Sequence, residues 1–114
     1  MRKVEGVNLT EKERTSILEA ACALKTELPV TRVILFGSKA RGEGEPDSDI
    51  DLLVLTRGPV SRALRQAVSD KLAEINLQND VLLTSVVVPE EQWSNGLIRY
   101  MLIHSEVERD GCEI

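Results

Sequence analysis

The chain has 114 residues, of which 29% are charged and 42% hydrophobic, with a formal net charge of −5. That length supports one packed core, so residues 1–114 are read as a single domain with no second catalytic lobe. An acidic balance without a Lys/Arg stripe argues against nucleic acid as a direct ligand, and no stretch reaches membrane-spanning length. The start, MRKVEGVNLTEKER, lacks the apolar run of a signal peptide, which points to a cytoplasmic protein with no membrane partner.

Residues 1–9 carry little pattern and read as a loose arm. Thr10 followed by Glu13 forms a capping box. Ile17, Leu18, Ala21, Leu24 and Leu28 then recur at helical spacing until Pro29 stops the helix. Cys22 falls within this pattern and is expected as a buried thiol; with Cys112 it forms no Cys-x-x-Cys or Cys/His cluster. Thr31 to Phe36 is a continuously apolar strand of the kind buried on both faces.

A short helical turn from Ser38, ended by Gly42, leads into a connection loosened by Gly44 and Pro46. The strand over 49–56 pairs antiparallel with its predecessor, because the connection is too short for a crossover. Leu64, Ala67, Val68, Leu72 and Ile75 predict a helix over 61–76, and VLLTSVVV at 81–88 a third strand. Together these make a βαβ unit with a right-handed crossover.

After Pro89, Glu90 to Trp93 reads as a helical turn that Asn95-Gly96 interrupts. A last helix over 97–109 carries Ile98 and Leu102 on one stripe and Leu97, Tyr100 and Met101, with Trp93, on another. The second stripe either meets a partner or completes a thin core; His104 beside it is structural or interfacial. The fold class is α+β: a small mixed sheet of about three strands flanked by helices.

Two stretches carry chemistry. Asp49 and Asp51 project from one face of a strand while Ile50, Leu52 and Val54 point into a core. Paired carboxylates suit a hard divalent cation such as Mg²⁺, with phosphate and water completing its shell. Gly37-Ser38 follows a strand, where a missing Cβ lets the backbone approach a phosphate. Lys39 and Arg41 either meet phosphate oxygens or are solvated loop charges.

Gly37-Ser38, ten residues, then Asp49-x-Asp51 resembles the DNA polymerase β-type nucleotidyltransferase superfamily. FGSKARGEGEPDSDIDLLV is similar to its minimal single-domain members beyond that fingerprint, through Arg41-Gly42 and Pro46-Asp47-Ser48-Asp49, and more weakly at Asp110-Gly111.

The resemblance implies the polymerase β-like fold and transfer of a nucleoside monophosphate from ATP or another NTP to a hydroxyl. It makes Asp49 and Asp51 ligands of two Mg²⁺ ions and gives the triphosphate to Gly37, Ser38 and Arg41. It also calls for a third carboxylate on the neighbouring strand. Counting back from Pro89-Glu90 places that position near the non-acidic Ser85, with Asp80 as the nearby substitute. Minimal members often act as antitoxins that adenylylate a HEPN-domain toxin. The alternative is a catalytically weak member acting as a partner-binding module.

Overall fold

The computed structural model describes residues 1–45 and 47–114. Pro46, expected to loosen the connection after the Gly-Ser turn, lies outside them. The elements are β1 (Arg2–Lys3), a 3-10 turn (Val4–Gly6), α1 (Glu11–Glu27), β2 (Val30–Phe36), β3 (Ile50–Thr56), α2 (Arg62–Asn79) and β4 (Leu83–Pro89). They continue with α3 (Glu90–Asn95), a second 3-10 turn (Leu97–Tyr100), α4 (Leu102–Asp110) and β5 (Cys112–Glu113).

Among the described residues the sheet has five strands rather than about three, in the order β1-β5-β2-β3-β4. The additional two are the short end segments, which pair parallel with each other, and β5 pairs antiparallel with β2. The N-terminal arm is therefore not loose. Val4 and Val7 are buried, and the Arg2 guanidinium donates to the carbonyls of Ala40 (2.7 Å) and Asp110 (2.6 Å). Residues so short in apolar pattern are ordered by tertiary partners, which local sequence does not announce.

The antiparallel β2–β3 pair and the parallel β3–β4 pair form as expected. The central strands alternate between two cores. Val33, Leu35, Ile50, Leu52, Val54, Leu83 and Val87 pack under α1 and α2. Ile34, Leu53, Leu55 and Val88 pack under Trp93 of α3 and Val107 of α4. Burial on both faces explains why these strands read as apolar runs; each buried aliphatic contributes roughly 1.5–3 kcal/mol.

The capping box of α1 is closed. Glu13 N–H donates to Thr10 Oγ1 (3.1 Å), and Thr10 N–H donates to Glu13 Oε1 (2.9 Å). Ile17, Ala20, Ala21 and Leu24 form its buried stripe, but Leu18 is exposed. Cys22 is exposed rather than buried, because it sits about 100° around the helix from the Ala21 stripe, while Cys112 is buried.

The last helix is shorter than expected. Met101 adopts extended backbone (φ −89°, ψ 155°), which separates the second 3-10 turn from α4. This break splits both stripes. Trp93 is buried and stacks on His104 with ring centroids 4.6 Å apart, whereas Leu97, Tyr100 and Met101 of the second stripe face solvent. On the first stripe Ile98 packs on the core, but Leu102 is exposed rather than covering the sheet.

Candidate active site

The site grows from the register of β2 against β3. Phe36 pairs with Asp51, so Gly37 leaves the sheet directly beside the Asp51 side chain. Gly37 has φ +80°, a conformation that side-chain-bearing residues rarely adopt, and a Cβ there would lie 2.5 Å from Asp51 Oδ2. The two halves of the fingerprint thus meet at one point: the left-handed backbone favours glycine, and an added Cβ would displace the Asp51 carboxylate.

From Gly37 the chain makes consecutive tight turns. The N–H groups of Ala40 and Arg41 donate to the Gly37 carbonyl (3.1 and 3.3 Å), and Glu43 N–H donates to the Ser38 carbonyl (3.0 Å). Turns rather than a regular helix form, and Gly42 with φ +74° ends them. Among the described residues, the N–H groups of Ser38 and Lys39 find no acceptor, which leaves two backbone donors at the mouth of the turn.

Asp51 is half-buried and Asp49, just before β3, is exposed. By strand alternation both lie on the face away from α1 and α2. Asp51 Oδ1 accepts a hydrogen bond from Thr84 Oγ1 (2.9 Å), the residue paired with it on β4.

That pairing decides the third position. Ser85 lies opposite Leu52 and shares the parity of Leu83 and Val87, so it faces α1 and α2 and cannot meet the carboxylate pair. A one-residue difference in register flips the face, so Thr84, not Ser85, shares the face of Asp51. Thr84 was missed because VLLTSVVV is apolar on both parities.

Asp80 does not join the pair either. It is the left-handed C-cap of α2 (φ 54°), and this turn swings its carboxylate into solvent within 3.7 Å of Lys12 Nζ. Among the described residues, no group of three or more Asp, Glu, His or Cys side chains comes together as a metal site.

Arg41 is near the turn but occupied. Its Nε donates to Glu43 (3.0 Å), and Nη1 stands 3.8 Å from Asp110. The Asp110 carboxyl is held below its ordinary range chiefly by the Arg109 hydrogen bond, with Arg41 and Arg2 adding to it. Lys39 is neither solvated nor free for phosphate. It is buried, with its ammonium on the Glu13 carboxylate and on the Glu45 carbonyl (2.7 Å). Burial pushes the Glu13 carboxyl up, but the Lys39 and Thr10 hydrogen bonds outweigh it, so Glu13 titrates below its usual value.

A cleft of about 400 Å³ lies between the start of α1, the residues Asp47, Ser48 and Ile50, and Asp80 to Leu82, and a smaller one of about 210 Å³ lies between Asn8 to Thr10 and the residues Lys39, Gly42 and Gly44. Neither takes in Gly37, Ser38, Asp49 or Asp51. The carboxylate pair sits outside both. No helix among the described residues is long and apolar enough to cross a membrane.

The chain matches the family model described as nucleotidyltransferase domain over residues 16–108. It is 34% identical over 83 residues to the "Putative protein adenylyltransferase MJ0141" of Methanocaldococcus jannaschii, covering 73% of this chain and 77% of that protein. Solved structures with the same fold include a toxin–antitoxin with AMP-PNP (TM-score 0.60, 20% identity, 91% of this chain and 72% of that one). A tyrosine-to-alanine mutant of the toxin–antitoxin MntA-HpeT is similar at TM-score 0.56 and 23% identity, covering 94% of this chain and 72% of that one. With the family model spanning most of the chain, this protein belongs to the nucleotidyltransferase domain family and is a nucleotidyltransferase.

Proposed function

We propose that this single domain transfers AMP from ATP to a hydroxyl of a partner protein, with two Mg²⁺ ions held by Asp49 and Asp51. The observation that carries the reading is the approach of Gly37 to Asp51 Oδ2, which joins the phosphate-binding turn to the carboxylate pair. Two same-face carboxylates with an open side fit a hard cation that shares its ligands with phosphate. When bound, the metal ions supply positive charge to the transferring phosphoryl group and to the oxygens that enter and leave it.

The chain's own residues do the rest. Thr84 fixes Asp51 through Oδ1 and leaves Oδ2 on the Gly37 side. The Ser38 and Lys39 N–H groups and the Ser38 hydroxyl receive the triphosphate, and Arg41 reaches it by exchanging Glu43 for phosphate. Holding the triphosphate in place orients the α-phosphorus for in-line attack by the acceptor hydroxyl: the new P–O bond forms as the bond to the β-phosphate breaks, pyrophosphate leaves and the hydroxyl proton is released to solvent, and the fixed geometry reduces the entropic part of the barrier. Asp49, being exposed, is the carboxylate that incoming metal and nucleotide meet first.

The partner proposed is a HEPN-domain toxin, met in the cytoplasm, as the family resemblance implies. Structural neighbours described as toxin–antitoxin complexes support a toxin partner. The exposed Leu97, Tyr100, Met101 and Leu102 offer an apolar face for it.

A second reading, a weak enzyme that neutralises its partner by binding, is favoured by one observation. Thr84 shares the face of Asp51 and carries no carboxylate to draw the acceptor's proton. Incubation of the chain and its partner with labelled ATP decides between them. Asp49→Asn and Asp51→Asn should each abolish label transfer while far-UV spectra stay unchanged. Transfer by either variant at the wild-type rate overturns the site; no transfer by wild type, with full neutralisation, leaves the binding module.

A further inference from the structure

We propose that Glu13 and Lys39 form a buried strut that holds the Gly37-Ser38 turn at its distance from Asp49 and Asp51. Lys39 is then a positioning residue for the triphosphate and not one of its ligands. The inference rests on the reading that Gly37-Ser38 receives phosphate.

Lys39 directly follows Ser38, yet its side chain runs away from the mouth of the turn. Lys39 is 5% exposed and Glu13 7%. The ammonium reaches the Glu13 carboxylate on α1 and the Glu45 carbonyl at 2.7 Å, on the returning leg of the connection that ends at Asp49. Ser48 Oγ donates to the same carbonyl (2.8 Å). Gly44 closes over this point: a Cβ there would lie 2.8 Å from Lys39 Cδ and 2.7 Å from Ser48 Oγ. One side chain thus grips both legs of the segment that joins the two halves of the fingerprint.

The other end of the strut is rooted. Glu13 Oε1 closes the capping box with Thr10 while its other oxygen, Oε2, faces Lys39, and α1 is packed on the sheet through Ile17, Ala21 and Leu24. Burying such a pair costs desolvation that apolar side chains would avoid, so mere stability is a poor reason for it. The segment it braces contains Gly37, Gly42 and Gly44, and among its described residues Ala40 is the buried apolar anchor. The turn's own N–H bonds, Arg2 on the Ala40 carbonyl and the Arg41 pairs shape the turn locally, and the strut ties it to α1 and to the returning leg.

The test compares Glu13→Gln, Lys39→Met and the double variant. Glutamine still closes a capping box, so the first variant removes charge from the strut without uncapping α1. Two readouts apply: Mg-ATP affinity by calorimetry, and hydrogen exchange of the residue 38–43 amides in nucleotide-free protein. A strut predicts that each single variant weakens Mg-ATP by roughly 10-fold or more, the usual cost of losing a supporting partner, and speeds amide exchange. The double variant should be no worse than the worse single.

If Lys39 instead left Glu13 to bind phosphate, Glu13→Gln would release it and affinity would hold or rise. That result, or unchanged exchange in both single variants, overturns the strut. Should Lys39→Met fail to fold, Glu13→Gln, which keeps the capping box, carries the test by the same two readouts. Gly37→Val separates the failures: loss of Mg-ATP binding there with none in the strut variants rejects the strut alone. Wild-type binding by Gly37→Val rejects the phosphate reading, and amide exchange then still decides whether the strut holds the turn.

Discussion

Gly37→Ala is the most economical test of the site, because the structure provides its own control. At Gly37, φ is +80° and an added Cβ would stand 2.5 Å from Asp51 Oδ2; at Gly42, φ is +74° and nothing lies within 4 Å. Both alanines bear the left-handed backbone cost of about 1–2 kcal/mol. Only the first must also displace the Asp51 carboxylate, losing its bond from Thr84, a further loss of about 1 kcal/mol. Urea denaturation should therefore show Gly42→Ala destabilised by about 1–2 kcal/mol and Gly37→Ala by about 2–3 kcal/mol. Calorimetry with Mg-ATP should show affinity lost in Gly37→Ala and kept in Gly42→Ala. Equal stabilities and equal affinities for the two variants would refute the claim that the turn and the carboxylate pair are one site.

Thr84→Asp places a carboxylate beside Asp51 and should raise the transfer rate toward the 10²–10⁴-fold typical of a positioned base, whereas Ser85→Asp, on the opposite face, should destabilise the fold without a rate gain. Asp80→Asn should leave transfer unchanged, since its carboxylate is paired with Lys12 in solvent; a loss comparable to Asp51→Asn would return it to the site. The Glu13 carboxyl is lowered in the folded protein, so it adds stability above the unfolded carboxylate pKa, and this is lost as pH falls through the lower folded value. Denaturation midpoints of wild type and Glu13→Gln should thus differ at neutral pH and converge in acid; a gap that stays constant with pH contradicts the assignment. Leu97→Ser with Tyr100→Ser, at 82% and 79% exposure, should leave stability unchanged and abolish partner binding in a pull-down, while full binding would move the interface elsewhere.

What could be read directly from residues is what depends on local pattern. The capping box at Thr10 and Glu13, the antiparallel β2–β3 return, the βαβ unit and the meeting of Gly37 with the Asp49-x-Asp51 strand all follow from spacing and short connections. Register and long-range partners do not. VLLTSVVV is apolar on both parities, so only the pairing of Thr84 with Asp51 decides that Ser85 faces the helices. The ends of the chain look patternless because β1 and β5 exist only by pairing across the whole sequence. Lys39 looks like a loop charge until α1 brings Glu13 to it, since a buried ion pair between residues so far apart leaves no local trace. Strand periodicity and capping are properties of a few neighbouring residues; face, register and charge pairing are set by which distant segments the packed sheet brings together.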